Sequence, residues 1–417
     1  MPKNPLGLYI HIPFCQSKCA YCDFYSLSGS GDALMHRYAQ AVIRQMGNYS
    51  HAARDYVVNS IFIGGGTPTT LPVNTMCKII DAVRKNFNVA RGAEFTMEAN
   101  PATVTKAALA KYRRKGVNRL SLGLQSANNE ELSTLSRIHT VSDFEESYLA
   151  AVAAGFNNIN VDIMYGIPLQ TADSFNKTLD YVTSLSPSHI SVYGLKIEEG
   201  TTFHRIRDTL MLPDEDTEAD MYLDTISYLR VKGYKHYEIS NFAKPGKQCR
   251  HNLKYWNCED YLGLGCAAHS YFAGMRFSMK RDIMKYMESM EADIGKSEIS
   301  PKNGISLTED KLRSVQPIDE MYRVTDKERV GEYIMLKLRL CEGLSSREFT
   351  DRFAINFDAV YGRQLRLYID NGFMKYDGDR YSFTPKGMYV SNYILSSILD
   401  FDEDSGIIGG IAGGSDK

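Results

Sequence analysis

What most limits the fold open to this chain is an alternation. Up to residue 232, short β-rich apolar runs alternate with stretches of helical periodicity. Leu8–Ile12, Val58–Ile63, Glu94–Glu98, Arg119–Leu124, Ile159–Ile163 and Ile190–Leu195 are predicted strands. Ala33–Gly47, Asn74–Asn86, Lys106–Lys115, Val141–Ala154 and Ser174–Leu185 are predicted helices, with a sixth after Pro213. Six such units in a row suggest parallel strands closed, or partly closed, into a barrel; periodicity alone does not separate this from a doubly wound sheet.

The remainder divides by composition. Residues 1–232 form the barrel core, and 233–295 are an irregular aromatic-rich cap holding the only tryptophan, Trp256. Residues 296–326, with Pro301, Asn303 and Gly304, read as a linker or insertion. Within 327–400, Lys327–Leu340, Ser345–Phe353 and Phe357–Asn371 are predicted helices. Phe373–Tyr376 and Arg380–Phe383 flank Asp377-Gly378-Asp379 as a hairpin, which makes this part winged-helix-like. Residues 401–417, acidic and then glycine-rich, read as a mobile tail. The expected class is α/β: a partial (β/α)6 TIM-like barrel with a C-terminal α+β winged-helix-like domain.

A formal net charge of -2 over 417 residues supplies no electrostatic drive toward nucleic acid or an anionic membrane. The first apolar run is short and broken by His11 and Pro13, so it fits neither a secretory signal nor a membrane span, and a cytoplasmic location is expected.

Chemistry concentrates in His11-Ile-Pro-Phe-Cys15-Gln-Ser-Lys-Cys19-Ala-Tyr-Cys22, directly after the first predicted strand. Three of the eight cysteines fall within eight residues, unlike the spread of a disulfide framework. No fourth cysteine stands close by, as structural zinc would need. Three thiolates can hold three irons of a [4Fe–4S] cluster and leave the fourth open to the amino and carboxylate groups of S-adenosylmethionine (SAM). Tyr21 would lie against the cluster or the adenine. Gly64-Gly65-Gly66-Thr67 follows the second strand, where glycines admit close backbone approach to a charged ligand. Glu98, Gln125 and Asp162 end the next three strands, the rim at which barrel proteins place their sites. Arg137 follows on a predicted helix, where it could pair with a carboxylate.

Tyr9-Ile-His-Ile-Pro-Phe-Cys with Gly64-Gly-Gly-Thr-Pro-Thr69 resembles the radical SAM superfamily, in the branch shared by oxygen-independent coproporphyrinogen III oxidases and heme chaperones. The resemblance runs over most of the chain. It implies that Tyr9, Gly65, Glu98 and His269 face a first SAM. Tyr21, Gly66, Thr67, Gln125, Arg137, Asp162 and Lys196 would face a second, although Lys196 departs from the small or hydroxyl residue expected there. One SAM or two is left open. Arg250-His251-Asn252-Leu-Lys-Tyr255-Trp256 and Tyr261-Leu-Gly-Leu-Gly-Cys266-Ala-Ala-His269 resemble segments of the heme-chaperone members. His251, Tyr255 and Trp256 are therefore heme candidates, set against a bland reading of His251 as a structural histidine beside core aromatics. Cys249, Cys258, Cys266, Cys77 and Cys341 read as structural.

Phe24 stands where the oxidases carry a fourth cysteine, and Tyr9 lies near the start where they carry a long leading segment. Both departures imply a protein that binds heme as cargo and passes it to a heme-accepting protein, membrane-bound or not, without coproporphyrinogen oxidase activity. An electron donor such as flavodoxin or ferredoxin is implied; no nucleic-acid partner is expected. No catalytic residue is assigned, and SAM cleavage stays open. The alternative is an oxidase acting on coproporphyrinogen III or another tetrapyrrole.

Overall fold

The computed structural model describes residues 4–101, 103–292 and 316–405, with side chains up to residue 399. Pro301, Asn303, Gly304 and the rest of the linker before residue 316, like the tail beyond 405, lie outside the described residues. Six strands carry the first half: Asn4–Ile12 (β1), Tyr56–Gly65 (β2), Val89–Ala99 (β3), Arg119–Gln125 (β4), Ile159–Tyr165 (β5) and His189–Gly194 (β6). They pair in parallel and in chain order, which is the expected partial (β/α)6 barrel. The crossover helices are Asp32–Tyr49, Val73–Asn86, Lys106–Lys115, Val141–Ala153 and Ala172–Leu185. Helix starts are set locally: Thr140 with Asp143, and Thr171 with Ser174, form capping boxes.

Parallel strands buried on both faces need apolar residues at almost every position. In β1, Leu6, Leu8, Ile10 and Ile12 are fully buried. β4, β5 and β6 keep Leu120, Leu122, Val161, Ile163, Ile190 and Val192 buried in the same way.

The sheet grows beyond β1. Tyr261–Leu264 (β7) pairs with it in parallel, and His269–Phe272 (β8), Met275–Met279 (β9) and Ile318–Arg323 (β10) follow as an antiparallel meander. The stretch read as an irregular cap thus contributes regular strands. They are only four to six residues long, too short for periodicity to reveal. Gly263 is required inside β7, because a Cβ there would collide with the His269 carbonyl of β8.

A second compact unit is made of residues 219–248, 255–258 and the described chain from 324 onward. In the second unit, helices Asp326–Lys337, Ser346–Phe353 and Phe357–Asp370 accompany a three-stranded sheet of Leu344–Ser345, Arg380–Phe383 and Met374–Tyr376. Phe349 packs on Phe353, Phe357 and Tyr361 as its aromatic centre. Gly378 takes a φ of 104° in the hairpin turn, and the Asp377 carboxylate accepts from the Asp379 and Arg380 N–H groups. This is the expected winged-helix-like arrangement. Two more helices, Pro385–Tyr389 and Ser391–Ser405, follow the hairpin.

Candidate functional site

Eleven of the residues singled out by the sequence line one cavity of about 390 Å³ at the C-terminal ends of β2 to β5. Cys15, Cys19, Tyr21 and Cys22 come from the loop after β1. Gly65, Gly66, Thr67, Glu98, Gln125, Arg137 and Asp162 close the ring.

The cysteine loop is pinned from two sides. Phe14–Cys15 pairs with Leu27–Ser28, the Ala20 N–H donates to the Leu135 carbonyl, and the Thr67 N–H donates to the Phe14 carbonyl at 2.7 Å. Gly66 makes the contact possible, because a Cβ there would sit 2.7 Å from the Phe14 oxygen and 3.0 Å from Cys15 Sγ. The Thr67 hydroxyl lies 3.6 Å from that sulfur, and Asn100 Nδ2 donates to Thr67 Oγ1 at 2.9 Å. Burial pushes the Cys15 thiol up and the Cys22 thiol to about 11. Only a strong positive partner would make these thiolates favourable. Among the described residues no three His, Cys, Asp or Glu side chains converge on a single-ion position.

Arg137 is placed by a feature the helix expectation missed. It sits in the loop between Asn129–Thr134 and Val141–Ala153, after Ser136 turns the backbone left-handed at φ 58°. Its guanidinium reaches Cys19 Sγ at 3.5 Å and donates to the Asn100 side-chain oxygen and the Gly123 carbonyl, both at 3.0 Å. None of these partners is a carboxylate, and Arg137 Nε has no hydrogen-bond partner. Gln125 also stands at positive φ, 71°, where β4 breaks register against β5. Such strain in a non-glycine residue gathers at functional sites.

Glu98 Oε2 accepts from the Gly65 N–H at 3.1 Å. Burial, then the nearby Asp162, pushes the Glu98 carboxyl up to about 8. Asp162 is raised by burial too, opposed by the hydroxyl and amide groups that donate to it. With the Arg137 guanidinium, these two carboxyls give the cavity both hydrogen-bond donors and acceptors.

Other candidates lie elsewhere. Tyr9 donates or accepts at His11 Nδ1, 2.9 Å away, and the His11 ring backs onto Gly65, so Tyr9 supports the glycine loop from behind. Lys196 is 82% exposed and pairs with Glu198 at 2.6 Å; it does not line the cavity. His269 begins β8 on the surface. His251 is 1% exposed, its Nδ1 3.0 Å from the Ser60 hydroxyl and its ring stacked on Phe62. Burial, then Lys254, lowers its pKa to about 3. In this conformation it is the structural histidine of the bland reading, closed to a ligand. Tyr255 and Trp256 follow on the same helix, Arg250–Trp256, and are half-buried.

Sequence reasoning missed Asn100, Ser121 and Tyr193 in the lining. The signal was a period of two: Ser121, Gly123 and Gln125 alternate with leucines in β4, and His189, Ser191 and Tyr193 alternate with Ile190 and Val192 in β6.

Residues 9–182 match the model of the Radical SAM superfamily, and residues 324–390 match that of the HemN C-terminal domain. Fold and matches together define the class as radical SAM. Heme chaperone HemW of Escherichia coli strain K12 is 42% identical over 400 residues, spanning 95% of this chain and 98% of the relative. The HemW of Buchnera aphidicola from Schizaphis graminum is 33% identical over 398 residues, spanning 95% and 99%. The chain belongs to the HemW family. Coproporphyrinogen III oxidase HemN of Escherichia coli shares the fold at a TM-score of 0.80 and 22% identity, covering 95% of this chain and 91% of its own.

Proposed function

We propose that the chain holds a [4Fe–4S] cluster on Cys15, Cys19 and Cys22, binds SAM in the adjoining cavity, and carries heme to acceptor proteins in the cytoplasm or at a membrane. The observation that carries the cofactor part is that the three thiols, the Gly65–Thr67 loop and the Glu98–Asp162 rim line a single cavity. A four-iron cube is touched at separate corners, so its thiolates need not converge on one point. Bound there, the cluster would supply an electron to the SAM sulfonium. The chain's own groups do the rest. Arg137 steadies Cys19 and brings a guanidinium to the cavity wall. Asp162 offers acceptors to an ammonium or to hydroxyls, Glu98, still protonated near neutral pH, can donate as well as accept, and Gly66 lets the backbone approach. At about 390 Å³ the cavity lies at the small end of ligand sites, which favours one SAM.

Heme as cargo rests on the family and on Phe24, which lines the cavity, 61% exposed, where the oxidases place a cysteine. For His251 to ligate iron, its ring would have to leave Ser60 and Phe62, so that role requires the Arg250–Trp256 helix to open. No helix among the described residues is long and apolar enough to cross a membrane.

The test is an anaerobic reconstitution followed by hemin titration and transfer to an apo-heme protein, with coproporphyrinogen III, SAM and reduced flavodoxin in a parallel arm. A stoichiometric Soret shift, delivery to the acceptor and no protoporphyrinogen are expected. Protoporphyrinogen formation would establish the oxidase instead, and absence of heme binding would remove the carrier reading.

A further inference from the structure

Behind Asp162, the interior of the barrel holds a chain of buried polar side chains contributed by β4, β5 and β6. Ser121, Asn160, His189 and Ser191 are all buried. Asn160 Nδ2 donates at 2.7 Å to Asp162 Oδ1 and at 2.7 Å to Ser121 Oγ, and Ser121 Oγ donates at 3.0 Å to Asp162 Oδ2. On the other side, Asn160 Oδ1 lies 2.6 Å from His189 Nδ1 and accepts from Ser191 Oγ at 3.1 Å.

The hydrogen-bond inventory of an amide makes this arrangement determinate. Both N–H groups of Asn160 are used on one side and both lone pairs of its oxygen on the other, so its orientation cannot invert without breaking four bonds. Neutral His189, its charged form disfavoured by burial, supplies the donor that fixes which way the amide faces. Both Asp162 oxygens are therefore held from the interior, while the residue itself lines the cavity.

We propose that Asn160, oriented by His189, is a positioning residue that presents the Asp162 carboxylate to the cavity as a fixed acceptor for a hydroxyl or ammonium donor of SAM. This rests on the reading of Asp162 as a SAM-facing residue. Interactions one step removed from a ligand set its geometry, and their loss weakens binding without touching the ligand.

The experiment measures SAM affinity by equilibrium dialysis on the reconstituted full chain, with iron content and thermal melting recorded beside it. Asn160→Ala and His189→Ala should each raise the SAM dissociation constant about tenfold with iron retained. His189→Gln, whose amide N–H can replace Nδ1–H, should recover most of the affinity. 5′-Methylthioadenosine, which keeps the ribose hydroxyls and lacks the ammonium, should share the loss if a hydroxyl is the donor and escape it if the ammonium is.

Lowered melting temperatures with unchanged SAM affinity in the Asn160 and His189 variants, alongside weakened binding in Asp162→Asn, would overturn the positioning role. Wild-type affinity in Asp162→Asn itself would overturn the reading beneath it. If the Asn160 and His189 variants do not fold, Ser191→Ala decides, because it removes the other donor to the Asn160 oxygen from a side chain that does not line the cavity: unchanged affinity there overturns the proposal.

Discussion

Cys19 is the residue at which chain chemistry and cofactor chemistry meet, since Arg137 reaches its sulfur while burial works against free thiolates at Cys15 and Cys22. Cys19→Ala should leave the barrel folded but abolish retention of iron and sulfide, together with the broad iron–sulfur absorbance. Full iron content in that variant would remove the cluster assignment. Glu98 gives a pH prediction. Its folded-state pKa, about 8, stands above the ordinary 4.5, so across that window the folded chain holds a proton the unfolded chain has released. Its contribution to stability is therefore whole below pH 4.5 and lost as pH rises through 8, with a slope of up to about 1.4 kcal/mol per pH unit. Urea unfolding of the cluster-free protein at pH 5.5, 6.5 and 7.5 should show that slope reduced in Glu98→Gln. Identical slopes in the two proteins would mean that the carboxyl is ionised throughout. His251 acts in the opposite sense: its folded pKa is depressed, so its contribution is present above the ordinary histidine value and is lost as pH falls toward about 3.

At the scale of elements, the glycine loop after β2 is where backbone geometry rather than side-chain chemistry decides. The Phe14 carbonyl belongs to a paired strand and cannot yield easily to a Cβ at residue 66. Gly66→Ala should cost about 1–3 kcal/mol through overpacking, and it should lose cluster and SAM retention before it loses the fold; iron assay against circular dichroism separates the two. An alanine variant with full iron and wild-type melting would show that the loop has slack. The other strand-end loops are clamped by Glu131, whose carboxylate accepts from Ser126 and Ser174 at 2.6 Å and from Gln170 at 2.9 Å, tying the loops after β4 and β5 together. Glu131→Ala removes an acceptor from two buried donors and the half-buried Ser174 and should lower stability by about 2–4 kcal/mol in thermal or urea unfolding. A loss under about 1 kcal/mol would show that water replaces the carboxylate.

For the whole molecule, the winged-helix-like unit raises the question of nucleic acid, and charge answers it. Asp351, Asp358, Asp370 and Asp377 interrupt the surface that a basic stripe would need, and the chain is nearly neutral overall. A mobility-shift titration with duplex DNA at about 50 mM salt, where phosphate contacts are strongest, should show no complex. A salt-dependent shift would revive a regulatory role.

By itself the sequence determined the six βα units, the winged-helix-like hairpin and the cysteine loop, because these rest on local periodicity, turn residues and spacing, which a chain carries before it folds. Lys106–Lys115 and Arg380–Phe383 fall where periodicity predicts them. Only the tertiary structure decided which strand-end polar residues share a cavity. It set Lys196 in solvent with Glu198, closed His251 over Ser60 and Phe62, and brought Asn100 and Ser121 to the lining. It also added β7 to the edge of β1 across more than 250 residues of chain. The physical reason is the same in each case: periodicity tells which face of an element a side chain occupies, whereas register between distant elements tells what that face meets.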